Sequence, residues 1–401
     1  MATQANDVLV SVFARTDVGR QRAGNEDAFL VADLTQGNVG LGPEMITHAV
    51  GERGSLLIVS DGMGGAAGGE IASEIAVNAI RESLFDIPTN LGTADRLRIA
   101  TELANERIWN QAKHNAKLQG MGATVTAVLV QGAIAFAAQV GDSRAYVIRG
   151  HRIKQITKDQ SYAQALLDSG IFSPEQIAKV PQNVILQALG TQPTVQVGLT
   201  AVELHRNDYL IVCSDGLSGK IKPEEIRDGV YQSPDLTSAC RHLVDTANER
   251  GGEDNITVIV ASFDGVGLEA ADESTSITGS FRLLSEDFRP QAVNDTQPLG
   301  SMPPADLNAT TVIMPSLASI KKAPPEISAS GIAGDSSSSD ASESKSASAD
   351  SAPTGKYVTA VVRKKESEKS GIWTRWLVIL LLFLLILFEI GYLLYKLAPQ
   401  K

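Results

Sequence analysis

Apolar and polar residues alternate along the first two-thirds of the chain in a pattern that predicts short strands joined by tight turns. Two pairs of apolar runs are separated by only one or two turn residues, and such Gly-containing connections are typical of antiparallel hairpins. The pairs are ATVTAVLV and AIAFAAQV around Gln131-Gly132, and AYVIR and HRIKQIT around Gly150.

Longer segments with helical periodicity separate these hairpins. They predict helices over 69–85, 93–117 and 236–250. Helices that alternate with groups of antiparallel strands indicate an α+β layered domain and not a doubly wound parallel sheet. We place this globular domain at 1–265.

The composition changes after residue 265. The segment 266–356 is rich in Ser, Ala, Pro and Asp, and such a segment cannot bury enough apolar surface to offset its ordering entropy. We interpret it as a disordered linker. The alternative is a second small domain, because SITGSFRLL and ATTVIM have the pattern of short strands.

The C-terminal segment 376–395 is apolar and long enough to span a bilayer as one helix. Glu389 is its only charged residue. Trp373 and Trp376 lie at one end of the segment, and Tyr392 and Tyr395 lie at the other. The preceding segment 357–375 is basic, and a short tail, 396–401, follows. By the positive-inside rule the large N-terminal portion faces the cytoplasm of a single-pass plasma-membrane protein. A buried core helix is the alternative.

The bulk charge and the cysteine count exclude several classes of protein. A formal net charge of −11 argues against a nucleic-acid binder. Two cysteines form neither a zinc framework nor a disulfide scaffold, which favours a reducing cytosol for the main domain. No basic stretch followed by an apolar one marks a secretory signal at the N-terminus.

Aspartates stand at the ends of several predicted buried strands. Asp61 and Asp215 follow the similar strings IVS and IVCS, Asp142 follows the run ending at residue 140, and Asp254 precedes another apolar run. A single Asp-Gly is usually a turn. Carboxylates held together at a sheet edge repel one another and take up protons unless cations bind. Oxygen ligands without His or Cys favour Mg²⁺ or Mn²⁺ over zinc.

A charged stretch near the N-terminus adds a cation to this acidic set. Arg22 lies four residues before Glu26 and five before Asp27, and a guanidinium fork is suited to a phosphoryl group. Taken alone, the stretch is an ordinary charged surface loop. We expect Cys213 to be a packing residue, because no Cys-x5-Arg string of a cysteine phosphatase is present.

The strings RAGNED, SDGMGG, GDSR, SDGL and GEDN occur in this order over roughly 8–263. This ordered set resembles the metal-dependent protein phosphatase family, the protein phosphatase 2C-like group, in its bacterial form. The resemblance implies a four-layer α-β-β-α sandwich of two antiparallel sheets flanked by helices. It also implies a protein serine/threonine phosphatase that hydrolyses phosphoserine and phosphothreonine through attack by a metal-bridging water.

The resemblance further implies a metal set of two or three Mn²⁺ or Mg²⁺ ions. Asp61 is implied to bridge two of them, Gly62 to offer its carbonyl oxygen to one, and Asp215 and Asp254 to complete one ion's protein ligands. Asp142, with Asp215, is implied to hold the third.

The remaining implied roles belong to the charged stretch. Glu26 and Asp27 are implied to hold or orient metal-bound waters. Arg22 and Asp27 are the implied catalytic side chains, with Arg22 binding the substrate phosphate.

Two positions depart from the family pattern. Met63 stands where animal members often have a general-acid His, and Gln187 stands where many relatives have Arg. The segment 161–184 corresponds to a mobile flap in bacterial members, for which substrate gating and plain surface structure are both open.

The implied partners are phosphorylated proteins, among them a cognate Ser/Thr kinase. Three other functions stay open: a phosphatase in a transcription-regulator partner switch, an inactive phosphoprotein-binding scaffold, and a dinucleotide-dependent enzyme. The last rests on the match of 62–67 to G-x-G-x-x-A after a predicted strand.

Overall fold

The computed structural model describes residues 8–39, 45–177, 179–272 and 274–277, together with two short strands at 281–283 and 312–313. The predicted transmembrane segment, its basic neighbour and the tail, all within 357–401, lie outside these residues. In the described part of the chain, no helix combines the length and apolar character needed to cross a membrane.

Six antiparallel strands form the first sheet. They are β1 (Leu9–Asp17), β4 (Ile46–Ala49), β9 (Arg144–Arg149), β10 (Arg152–Gln155), β13 (Tyr209–Cys213) and β14 (Ile256–Asp264). Their order across the sheet is β10-β9-β13-β14-β1-β4. Strands far apart in the sequence, such as β1 and β14, therefore lie side by side.

Eight strands form the second sheet. They are β2 (Asp27–Asp33), β3 (Asn38–Val39), β5 (Ser55–Met63), β6 (Gly122–Ala123), β7 (Val125–Gln131), β8 (Ile134–Val140), β12 (Gly198–Glu203) and β15 (Phe281–Leu283). The order is β15-β12-β8-β7-β5-β2-β3, and β6 pairs with the end of β5. Two further short strands, β11 (Val184–Ile185) and β16 (Val312–Ile313), pair in parallel.

The helices complete two outer layers. Helices α1 and α2 pack on the second sheet, and α6 and α7 pack on the first. Shorter helices lie between the strands. The helices are α1 (Ala66–Asp86), α2 (Thr93–His114), α3 (Tyr162–Asp168), α4 (Pro174–Ile177), α5 (Asp215–Ser218), α6 (Pro223–Gln232) and α7 (Leu236–Glu249).

Strand β5 shows why the central strands are apolar at every position. Leu56 and Ile58 belong to the core beneath α1 and α2, whereas Leu57 and Val59 belong to the core between the sheets. Successive side chains point to opposite faces of a strand, so a strand covered on both faces needs a continuous apolar run. Full burial of each such side chain contributes about 1.5–3 kcal/mol.

The predicted α+β class, the hairpins and the two antiparallel sheets flanked by helices are confirmed. The predicted helices 69–85, 93–117 and 236–250 match α1, α2 and α7 within about three residues at each end. The dinucleotide-binding alternative is wrong, because every strand that neighbours β5 is antiparallel to it and such sites need parallel βαβ units.

Packing continues past residue 265, where the predicted linker begins. Leu268 and Ile277 are buried in the core between the sheets, and β15 pairs with β12 at the edge of the second sheet. Leu268 and Ile277 therefore pack with the domain that precedes them.

Candidate metal centre

Acidic side chains from both sheets meet at one end of the sandwich. Asp27 opens β2 and stands directly opposite Asp61 on β5. The carboxyl of Asp61 is also close enough to those of Asp142, Asp215 and Asp254 for each to raise its pKa. The antiparallel arrangement explains the convergence, because the start of one strand lies beside the end of its neighbour.

Asp27 ties the two sheets together. Its Oδ2 accepts hydrogen bonds from Ser214 Oγ at 2.7 Å and from Thr257 Oγ1 at 2.6 Å, and both donors belong to the first sheet or its end. Its Oδ1 is buried without a partner among the described residues. Burial raises the pKa of Asp27 to about 7, with smaller contributions from Asp215 and Asp254.

Asp61 is held through its backbone by Thr124. The Asp61 amide donates to Thr124 Oγ1 at 3.1 Å, and the Thr124 amide donates to the Asp61 carbonyl oxygen at 2.8 Å. The carboxyl groups of Asp61 and Asp215 lie within hydrogen-bonding reach. Burial and neighbouring carboxylates raise the pKa of Asp61 well above its ordinary value and that of Asp215 to about 6.

Arg22 lies at the rim of this acidic cluster. Its Nη2 forms an ion pair with Asp254 Oδ1 at 2.9 Å. Asn255 holds the loop that carries Arg22, because its Nδ2 donates to the carbonyl oxygens of Val18 and Gly24, each at 2.9 Å. Its Oδ1 accepts the amide of Glu26 at 2.7 Å. The guanidinium is thereby placed beside the carboxylates.

Glycines let Glu26 and the start of α1 approach the end of β5. A Cβ at Gly62 would overlap the carbonyl oxygen of Gly69, and a Cβ at Gly69 would overlap the carboxylate of Glu26. Burial raises the pKa of Glu26, and Arg22 opposes the rise. The glycine-rich string after Asp61 thus provides close packing around the acidic cluster.

Asp142 lies in the buried turn between β8 and β9. Gln160 Oε1 accepts the amide of Gly141 at 2.9 Å, and Gln139 Nε2 donates to the Gly141 carbonyl oxygen, also at 2.9 Å. Gln187 Nε2 donates to Gln160 Oε1 at 2.8 Å. An amide network therefore supports this turn, and Gln187 belongs to it. Burial, and then Asp215, raises the pKa of Asp142 well above its ordinary value.

The donor set fits Mg²⁺ or Mn²⁺. Asp27 Oδ1 and Asp215 Oδ1 are buried without hydrogen-bond partners among the described residues. Burial and neighbouring carboxylates raise the pKa of Asp61, so a bound cation would stabilise the ionised cluster. In that part of the chain no three His, Cys, Asp or Glu side chains could enclose one ion by themselves. Mg²⁺ commonly keeps several waters and uses only one or two carboxylates, so the arrangement suits such an ion.

Every predicted site residue lies in or beside this cluster, at positions 22, 26, 27, 61, 62, 142, 215 and 254. Met63 packs against Ile185 and Ala188 and brings no acid to the site. Cys213 lies in the core on β13, and burial raises its pKa to about 12.

The sequence did not identify the residues that position the acids. Ser214 and Thr257 hold Asp27, and Thr124 holds Asp61. Asn255 is the last residue of the GEDN string, so its position was the one available signal for a role in the site.

Comparison with known proteins places this arrangement in context. Residues 45–261 match the family model described as protein phosphatase 2C. The serine/threonine protein phosphatase PstP of Mycobacterium tuberculosis is 35% identical over 248 residues, which cover 62% of this chain and 44% of PstP. Protein phosphatase PhpP of Streptococcus pneumoniae is 34% identical over 255 residues, which cover 62% of this chain and 96% of PhpP. The chain thus spans less than half the length of PstP.

Solved structures agree with these relatives. The M. tuberculosis PstP structure superposes with a TM-score of 0.55 at 33% identity, covering 64% of this chain and 99% of that one. A PstP catalytic domain in complex with two manganese ions superposes with a TM-score of 0.53, again at 33% identity over 64% of this chain and 99% of that one.

Proposed function

Because this chain belongs to the protein phosphatase 2C family, we propose that it is a metal-dependent protein serine/threonine phosphatase. The observation that carries the proposal is the convergence of Asp27, Asp61, Asp215 and Asp254 at one end of the two sheets, with Arg22 paired to Asp254 beside them. The relatives named as serine/threonine phosphatases support the same reaction.

Mn²⁺ or Mg²⁺ is the proposed cofactor, as two ions per domain with a third at Asp142. The residues that would hold the first two are Asp61, the backbone of Gly62, Asp215 and Asp254. The manganese complex of PstP supports this choice of metal. When bound, such ions activate water for attack on phosphorus and neutralise charge on the phosphoryl oxygens.

The protein's own residues position the phosphate and the acids. Arg22 presents its guanidinium fork to the phosphoryl oxygens of a phosphoserine or phosphothreonine. Glu26 and Asp27 orient water on the second side of the cluster, and Ser214 and Thr257 keep one oxygen of Asp27 turned away while the other stays available. Met63 forms an apolar wall, so protonation of the leaving oxygen falls to a group other than residue 63.

The test measures phosphate release from a phosphothreonine peptide by the full chain. We expect release with Mn²⁺, loss of activity with EDTA, recovery when Mn²⁺ is restored, and a fall of at least about a hundredfold for Asp61→Asn. Equal release in all conditions would refute the metal mechanism. Binding of the phosphopeptide without release under any condition would establish an inactive scaffold.

A membrane location is a separate proposal. The segment 376–395 anchors the chain, and the basic residues of 357–375 keep the catalytic domain on the cytoplasmic side, where phosphorylated proteins and a cognate Ser/Thr kinase are its partners. Its support is the sequence pattern. Protease added to sealed right-side-out vesicles should leave the catalytic domain intact. Digestion of the domain would show that it lies on the outer side of the membrane.

A further inference from the structure

An open cleft of about 310 Å³ lies away from the acidic cluster. It is formed by the β9–β10 turn, the start of α6 and the end of the segment 266–277. Strand β9 begins at Arg144, two residues after Asp142, and its six residues span roughly 17–20 Å. The β9–β10 turn is therefore at the opposite end of the first sheet. The lining residues are His151, Arg152, Ile153, Lys154, Glu224, Arg227, Ser276 and Ile277.

The cleft is basic in a protein of net charge −11. Arg152 and Lys154 alternate on β10, so their side chains share one face, and both residues are exposed. Within the described residues neither forms an ion pair or a side-chain hydrogen bond. Arg227 adds a third cation, and among the described residues that line the cleft Glu224 is the only one with a carboxylate. The lining charge is +2 with His151 neutral.

Arg227 is already oriented in this cleft. It donates through Nη1 to the carbonyl oxygen of His151 at 2.7 Å and through Nη2 to Asp228 Oδ1 at 2.6 Å. The first bond holds the guanidinium against the β9–β10 turn, and the second ties it to the next residue of α6. Asp228 offsets part of its charge, so Arg152 and Lys154 are the main source of positive potential.

Ser276 is held at this cleft from both sides. Ile277 is only 2% exposed in the core between the sheets. On the other side, Asp272 Oδ1 accepts hydrogen bonds from the Ser274 amide at 2.9 Å and from Thr275 Oγ1 at 2.7 Å. Ser276 itself is exposed. Its position at the lining is thus determined by the packed residue after it and the turn before it.

We propose that Ser276 is a phosphorylation site whose phosphate is bound by Arg152, Lys154 and Arg227. A separate protein kinase transfers the γ-phosphoryl group of a nucleoside triphosphate to Ser276 Oγ, the hydroxyl proton goes to the kinase or solvent, and a nucleoside diphosphate leaves. The product carries a charge of about −1.5 to −2 and three acceptor oxygens, which match the cations of the cleft.

The modification fastens the start of the linker to the catalytic domain. Residues 266–277 join β14 to the rest of the chain, and a phosphate bridging Ser276 to β10 and α6 adds charge-assisted hydrogen bonds across that junction. Because the cleft is at the far end of the sheet, the phosphate is out of reach of the acidic cluster of the same molecule. The phosphate on Ser276 therefore persists even though the proposed activity of the same chain is the removal of phosphate from serine and threonine.

The binding test installs phosphoserine at 276 during synthesis of the full chain and follows its titration by ³¹P NMR in EDTA. We expect the second phosphate pKa to fall from its usual value near 6 by about one unit, a tenfold change in the acid dissociation constant. Phosphoserine placed at 274, which does not line the cleft, is the control. It would lie beside the carboxylate of Asp272, so its second pKa should not fall below about 6.

Charge removal assigns the shift to its source. Arg152→Gln and Lys154→Gln, both at exposed positions, should each reduce the shift, and together they should remove most of it and leave only the contribution of Arg227. A phosphate at 276 that titrates like the one at 274, or a shift that both substitutions leave undiminished, would overturn the proposal. Phosphopeptide mapping of the Asp61→Asn full chain from its native cells should locate phosphate on Ser276, and its absence there would equally refute a modification site.

Discussion

Asp27 and Asp61 stand directly opposite each other on the antiparallel strands β2 and β5. Like charges at opposed positions of a sheet destabilise it, and burial raises the pKa of both groups. The acidic cluster therefore destabilises the folded protein when no metal is bound, and bound divalent cations offset this destabilisation.

The first prediction concerns Asp61→Asn without metal. The pKa of Asp61 is higher in the folded chain than its ordinary value of 3.8. The folded state therefore loses stability as the pH rises from 3.8 through the folded-state pKa, because the carboxyl must then ionise in a buried site. At pH 7 the amide avoids this cost. We expect the melting temperature in EDTA to rise by about 2–6 °C, the equivalent of roughly 1–2 kcal/mol.

Mn²⁺ should reverse the order of the two proteins. It should raise the melting temperature of the unmodified chain by mass action and have little effect on the variant. Asp86→Asn, at an exposed position, should behave like the unmodified chain in both conditions. An Asp61→Asn protein that is less stable in EDTA and responds normally to Mn²⁺ would contradict the interpretation.

The second prediction concerns Asn255, whose side chain joins the loop carrying Arg22 to the start of β14. Asn255→Ala removes two donated bonds and one accepted bond and leaves the carbonyl oxygens of Val18 and Gly24 without that partner. We expect a loss of about 1–3 kcal/mol of unfolding free energy and a fall in kcat/KM of roughly ten- to a hundredfold as Arg22 shifts.

Urea unfolding and phosphopeptide kinetics measure the two effects. Asn78→Ala is the matched control, because Asn78 donates to one backbone carbonyl on the exposed side of α1. Unchanged kinetics in Asn255→Ala would show that the loop holds its conformation without this residue.

A buried ion pair supplies the third prediction. Arg149 and Asp208 are 3% and 1% exposed and are joined by a 2.7 Å contact, and Arg149 also donates to the Glu203 carbonyl oxygen. Asp208→Ala leaves a buried cation without its counter-ion, which costs about 3–5 kcal/mol. The melting temperature should fall by roughly 6–15 °C.

Thermal unfolding of the paired variant Asp208→Asn distinguishes charge from hydrogen bonding. The side-chain amide of Asn keeps an acceptor for Arg149 and for the His205 amide. The melting temperature of Asp208→Asn should therefore fall less than that of Asp208→Ala. Equal losses in the two variants would indicate that the lost carboxylate charge accounts for the whole effect and that the retained acceptor contributes nothing.

The fourth prediction is a pH dependence due to His48. Burial lowers its pKa from the ordinary 6.5, and Asp33 opposes this effect. As the pH falls below 6.5 the unfolded chain takes up the proton first, so the stability of the folded state decreases. The melting temperature of His48→Gln should therefore fall less than that of the unmodified chain when the pH is lowered from about 7.5 to about 5.5.

Comparing the two proteins at each pH cancels the contributions of the acidic cluster, which they share. His114→Gln serves as the control for a histidine at an exposed position. Identical pH profiles for His48→Gln and the unmodified chain would rule out a depressed pKa at this residue.

Local periodicity was sufficient to predict the hairpins, the long helices and the α+β class. It works because a strand such as β5 and a helix such as α7 must bury a face, and burial leaves a regular apolar pattern. The acids were also recognisable, because carboxylates beside glycines at strand ends stand out against an apolar sequence.

Segments without such a pattern were not predicted. Leu268 and Ile277 are isolated apolar residues in a polar stretch, so composition assigned them to the linker, whereas both are buried between the sheets. A single apolar residue carries no period, and its burial depends on whether the folded domain offers it a site.

The sequence alone therefore determined the elements and the set of metal-binding candidates at positions 26, 27, 61, 62, 142, 215 and 254, with Arg22 beside them. Only the tertiary structure decided what holds those groups: Ser214 and Thr257 on Asp27, Thr124 on Asp61, and Asn255 on the loop of Arg22. The reason is physical. These partners lie far apart in the chain, and a hydrogen bond between distant residues is set by the packing of two sheets, which no local pattern records.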